Sequence, residues 1–308
     1  MTKLILILQV ILFSSTLINA QITLTPAVLN GWGFNTNSVS INIEKRGIVA
    51  IQDNTFNGYT KLTQLSMGNN RLSTIGVNTF SGLTNLETLD LINNTVTTIA
   101  PNSFQALGKL LVLDITNSNI SSISASTFTG LASLSYLALG GNKNMVIPDN
   151  SFTGLNKLLT LDLSFCYQIT ALSTNFLTGL SNLITLDFFD SNIANIAVNA
   201  FVPTPKLLYL DLNLNYVPSL KSGMFNGLSN LQELFLSENE IETIDPNTFS
   251  TLTSLEYIDL SFNFLTGVTS SIFVGLSKLI AIDLLFNKIE TVADNSFSGL
   301  GNLEYLNL

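Results

Sequence analysis

The sequence predicts a solenoid, a stack of short units of nearly constant length, each giving one brief strand to a shared parallel sheet. Three observations carry this expectation. Leucines open equivalent units at 62, 86, 110, 134, 158, 183, 207, 231, 255, 279 and 303, a spacing of 24 residues with one unit of 25. Within a unit the apolar residues pass through a strand-like step of two and then follow neither a strand nor a helix period; in 231–254 they are Leu231, Leu234, Leu236, Ile241, Ile244, Phe249 and Leu252. Counting the opening leucine as place 0, place 8 is a column rich in asparagine: Asn70, Asn94, Ser118, Asn142, Cys166, Ser191, Asn215, Asn239, Asn263 and Asn287.

At the amino end, MTKLILILQVILFSSTLINA carries Lys3, an apolar run from Leu4 to Phe13 and a closing Ala20. This is the layout of a secretory signal peptide over residues 1–20, removed after Ala20. The run is about half of the ~20 apolar residues that a bilayer crossing needs, and no later stretch is longer, so no membrane span is expected. Residues 21–61 are expected to form an amino-terminal capping segment with a degenerate first unit. There Ile41, Ile43, Ile48, Ile51 and Phe56 hold the apolar places and Arg46 stands in the asparagine column. A polar half-unit of that kind can close the end of a stack.

Residues 62–308 then hold ten complete units and a truncated eleventh. Places 3 and 5 share the inward face of a strand. The place-8 amide can satisfy backbone groups where the chain leaves the strand. The Phe at place 18 and the Leu at place 21 fill the wedge beneath the opposite side. No unit can bury its apolar face alone, so the units must stack. The pattern L-x-x-L-x-L-x-x-N/C-x-L resembles the leucine-rich repeat from about residue 38 onward. Its second half, as in Ile244, Phe249 and Leu252, is similar to the 24-residue type common in extracellular receptors and matrix proteins. The resemblance implies an α/β solenoid of horseshoe shape, with a parallel concave sheet and short irregular or helical convex segments.

Departures from the pattern are specific. Cys166 takes the column place in the 25-residue unit, where Leu177 stands in for the Phe. The family motif accepts Asn or Cys at this place, so a buried structural thiol is the simple reading and a reactive or partner-bonding one the alternative. Extracellular members usually carry cysteine-rich caps, which one cysteine cannot build. The carboxyl end, LEYLNL, stops midway through a unit, and the expectation is a fragment of a longer product whose uncapped edge could support self-association.

Composition excludes several functions. The formal charge is −9 with 12 basic residues, a poor match for phosphate backbones, so no nucleic-acid partner is expected. There is no histidine and a single cysteine, which removes the commonest general base and any thiolate metal cluster. Neither an enzyme, a cofactor nor a metal site is expected.

The outward strand positions are where a function can be read. Place 4 holds Ser66, Asp90, Asp114, Ala138, Asp162, Asp187, Asp211, Phe235, Asp259 and Asp283. The aspartates fit either a basic partner or simply the hydrated acid frequent at this family position. The aromatic residues are more selective: Phe189, Tyr209, Phe235 and Tyr257 lie at outward places of adjoining units, with Phe262 and Phe286 at place 7. Exposed aromatic clusters mark interaction surfaces. Two sequons, at Asn93 and Asn119, make glycosylation sterically plausible on the amino-terminal half. These readings converge on a secreted or receptor-ectodomain module that binds a protein ligand through its concave face. The alternative is an adhesive or matrix protein that associates with itself.

Overall fold

A computed structural model describes residues 21–308, and the leader read over residues 1–20 lies outside the described residues. Twelve short strands run parallel in one sheet, in strict chain order from Ser40–Asn42 to Tyr305–Asn307. That is one more strand than the eleven opening leucines announce, because Ser40, Ile41 and Asn42 of the degenerate unit pair with Gln64, Leu65 and Ser66. Register never slips: Leu137, Leu161 and Leu186 face one another across three strands. In each strand the middle side chain points inward, and from Ile41 to Ile282 that column is fully buried or nearly so. The flanking residues line the concave side, as the two-residue periodicity of a strand requires.

The core is a stack of rings beneath the sheet. Phe201, Phe225, Phe249, Phe273 and Phe297 follow one another with centroids 5.7–6.4 Å apart, nearly parallel. In the 25-residue unit Leu177 does occupy the phenylalanine place, fully buried. Phe176, one residue earlier, is buried as well, in a position where most units hold Ser or Thr. Its ring meets Phe152 and Phe188, each at 6.1 Å, so in this unit the aromatic side chain enters the core one residue before the usual place, which Leu177 holds.

The convex side takes the irregular of the two forms the family resemblance implied. Two-residue strands join the units in twos: 74–75 with 98–99, 171–172 with 195–196, 219–220 with 243–244, and 267–268 with 291–292. A bridge between Ser122 and Val146 joins the remaining pair. Between pairs the seam is made differently. Asn54, Asn102, Asn150, Asn199 and Asn247 adopt left-handed backbone, and each donates its N–H to a carbonyl of the next unit at 3.1–3.4 Å. A 48-residue period therefore underlies the 24-residue one.

At the amino end a short strand and a helix precede the degenerate unit and pack on it. Ile22–Leu24 pairs parallel with Ile48–Ile51. The helix Pro26–Gly31 follows; Pro26 sits in its first turn, where the missing N–H costs nothing, and Thr25 caps it by accepting from Val28 N at 3.2 Å. Leu24 and Leu29 are completely buried, and Trp32 and Phe34 pack against the core. Arg46 lays its guanidinium 4.9 Å from the Trp32 ring centre.

Candidate ligand-recognition surface

The asparagine column fixes the geometry from which the concave surface hangs. Asn70 accepts from Arg46 N and Ile48 N with its Oδ1 and donates to the carbonyls of Ile43 and Met67 with its Nδ2, all within 2.8–3.1 Å. Each amide thus ties its own turn to the preceding unit, and Asn94, Asn142, Asn215, Asn239, Asn263 and Asn287 repeat the pattern. Three places of the column depart from this tie. Ser191 replaces the amide with a hydroxyl that donates to Leu163 O and Phe189 O and accepts from Cys166 N at 3.4 Å, and the Ser118 Oγ is buried without a partner. Cys166 is completely buried, with its Sγ 3.6 Å from Leu139 O. Burial pushes its thiol up to about 12, a value that leaves no thiolate for chemistry.

The aspartates of place 4 have a local task. In all seven, Oδ1 accepts the backbone N–H two residues on, as from Ile92 to Asp90 and from Phe189 to Asp187, at 2.8–2.9 Å. This is the Asx turn that bends the chain off the strand, and it accounts for the column without any ligand. It also leaves a file of carboxylates without a counter-charge on the sheet, since no outward position of the twelve strands is Lys or Arg. Burial, with Asp211 and Asp162 on the adjoining strands, pushes the Asp187 carboxyl up to about 6, against the opposing pull of the Phe189 N–H. Burial and the same file of acids raise Tyr136, Tyr209 and Tyr257 above the ordinary phenol value.

Phe235 breaks the file. It stands between Asp211 and Asp259 in register, while Glu233 stands between Tyr209 and Tyr257. The turn bond an aspartate would have made to Ser237 N is supplied by Asn213 Oδ1 of the preceding unit, at 2.7 Å. The Phe235 ring lies 5.0 Å from Tyr209 and 5.3 Å from Tyr257, both tilted, and all three are half-buried. The other aromatic candidates are elsewhere. Phe189 meets Phe165 edge-on at 5.4 Å, and Phe262 stacks on Phe286 at 4.4 Å on the rim beyond the strands. The six aromatic residues singled out in the sequence therefore fall into three groups, not one. Asn213 carried no signal of its own; the interruption of the aspartates at 235 is the signal that could have led to it. Asn93 and Asn119 are both exposed.

The comparisons fit this geometry. The Leucine rich repeat family profile matches in overlapping segments that together cover 39–167 and 209–308, well over half of the chain. The chain belongs to the leucine-rich repeat family. The unmatched stretch between those segments contains Phe176 and its displaced neighbours, where the repeat is least regular. Among solved structures, this leucine-rich repeat chain is similar to the protein of the TLR13–ssRNA13 complex, with 31% identity, a TM-score of 0.71, and 82% of this chain covered against 36% of that one. It is also similar to the structure of the Toll–Spatzle complex, a molecular hub in Drosophila development and innate immunity, at 18% identity, TM-score 0.73, with 93% and 41% covered. A leucine-rich repeat protein of Leptospira interrogans superposes at 23% identity and TM-score 0.63, with 94% and 76% covered. The last two show the fold alone. The chain spans well under half the length of the TLR13 and Toll structures. No match was found among curated proteins. Among the described residues no helix is long and apolar enough to cross a membrane.

Proposed function

We propose that this chain is the recognition portion of a secreted or cell-surface leucine-rich repeat protein, and that it binds a protein ligand through the carboxyl-terminal half of its concave face without catalysing a reaction. The observation that carries the reading is Phe235: a turn-stabilising aspartate is given up for a half-exposed ring, the lost bond is replaced by Asn213, and two tyrosines flank the ring. Solvent-facing aromatic clusters of this kind act as binding anchors. The likeness to TLR13, solved in complex with an RNA, supports ligand binding as the use of the fold, and the absence of basic residues from this sheet favours a protein over RNA. The leader layout of residues 1–20 and the exposed sequons Asn93 and Asn119 support export, with glycans on the amino-terminal half leaving the aromatic half open.

The test is an array of secreted and cell-surface proteins probed with the purified chain, each hit then measured against two variants. Phe235→Ala is expected to weaken a true ligand about tenfold or more, and Gln64→Ala to leave it unchanged. A ligand indifferent to Phe235 and sensitive to Gln64 overturns the reading. The second reading, self-association, draws on the stacked rings of Phe262 and Phe286, exposed on the rim. Sedimentation equilibrium decides it: a monomer at tens of micromolar rules it out.

A further inference from the structure

Ring and carboxylate alternate in both directions across the aromatic trio. Along one row of the sheet the order is Tyr209, Glu233, Tyr257, and along the next it is Asp211, Phe235, Asp259. With strands about 4.8 Å apart, every ring lies beside at least one carboxylate and Glu233 lies between two phenols. From this arrangement we infer that the trio receives a cationic side chain, an arginine, presented by a basic segment of the protein ligand. The inference rests on the concave patch being the docking surface and adds to it what the surface selects.

The chemistry favours arginine on three counts. The faces of aromatic rings attract cations, most strongly where water is thinned out, and these rings are half-buried. A guanidinium can lie flat on a ring while its edge donates to carboxylates, which the compact ammonium of lysine does less well. And the surface has no cation of its own. The basic residues are placed off the sheet: Lys61, Lys109, Lys157, Lys206 and Lys278 are exposed along the lateral edge at the end of their units, where three of them donate to asparagines of the unit before. Burial first, and the neighbouring acids after it, push the Asp211 and Asp187 carboxyls and the Tyr209 and Tyr257 phenols upward, and a cation among the acids would relieve the second of these causes. A bare metal ion fits less well, since among the described residues no three acidic or thiol groups converge to ligate one.

The experiment titrates the purified chain, selectively labelled at its tyrosine rings for NMR, with the capped peptide Gly-Arg-Gly-Arg-Gly and with its citrulline twin, which keeps the shape and loses the charge. The arginine peptide is expected to shift the Tyr209 and Tyr257 resonances and to bind about tenfold more tightly than the citrulline peptide. Phe235→Leu, which keeps an apolar side chain but removes the ring, and Glu233→Gln should each weaken it about fivefold; Asp90→Asn, in the same acidic file but without rings nearby, should not. Equal binding of the two peptides, or no binding of either, overturns the arginine assignment, and the docking surface then stands or falls by the Phe235→Ala measurement on a protein ligand. Equal losses in Asp90→Asn and Glu233→Gln also overturn it, because the peptide then senses only the overall field. Binding that leaves Tyr209 and Tyr257 unmoved removes the surface and the assignment together.

Discussion

The rim of the solenoid is built twice from the same backbone with opposite side chains. Asn69, Asn93, Asn117 and Gly141 line it in the amino-terminal half; Phe165, Leu214, Phe262 and Phe286 stand at the equivalent place of later units, with Asp190 and Glu238 between. All ten are left-handed, with φ of 49–73°. From Asn69 to Phe262 their N–H groups make the same bond to the following unit, as from Asn69 to Ile92 O and from Phe262 to Leu285 O, both 2.8 Å. The conformation is imposed by the stack. Asparagine and glycine accept it readily, whereas a bulky residue at positive φ pays about 1–2 kcal/mol. The carboxyl-terminal half carries that cost repeatedly and exposes what it gains: Phe262 is 49% and Phe286 68% open to solvent. Phe262 and Phe286 thus give the carboxyl-terminal half a second exposed apolar feature besides the Tyr209–Phe235–Tyr257 trio.

The comparison assumes that the halves differ at the surface and not in the core. Phe104→Ala and Phe249→Ala, both at completely buried rings, should therefore each cost about 3–5 kcal/mol in urea unfolding. A gap between them of several kcal/mol would mean that the halves differ within as well.

A reciprocal exchange at the rim should follow in size. Asn69→Leu is expected to destabilise by about 1–2 kcal/mol and Leu214→Asn to stabilise by about 1, the difference in left-handed cost. Opposite signs in the urea midpoint sharpen the contrast; equal signs dissolve it.

The smallest effect is electrostatic. Asp187 faces Asp162 and Asp211 from the adjoining strands and the Tyr209 phenol, with no base on the sheet, and its folded value near about 6 lies above the ordinary carboxyl. A raised carboxyl favours the folded state below its ordinary value, and that contribution is lost as pH rises through about 6. Asp187→Asn should therefore stabilise by about 1 kcal/mol above pH 7, after allowance for solvent screening, and by nothing below about pH 4. A gain that does not change across that range would assign the effect to packing.

The repeat, the inward column and the tie at place 8 were legible because each recurs, and recurrence turns a weak local pattern into a strong one. The run Asn69, Asn93, Asn117, Gly141 was in the same way a readable sign of left-handed backbone, but its continuation through phenylalanines hid it, since bulky residues do not predict positive φ. The amino-terminal helix went unread, because six residues are too few to show a helical period; its cap Thr25 and first-turn Pro26 became evident only in the structure. What could not be read were substitutions that depend on a partner 24 residues away. Asn213 replacing the turn bond lost at Phe235 is one; Phe176 entering the core beside Phe188 is another. Place 4 showed where the concave face was, but not how its rings would group.

The alternation on the convex side, short strands inside each pair of units and a left-handed asparagine at each seam, sets how this architecture can change length. Excising one unit would bring two unlike junctions out of phase, a strand edge against a side built for an asparagine seam. Excising or duplicating two restores the match. The doublet is then the unit by which this stack can change length with its junctions matched.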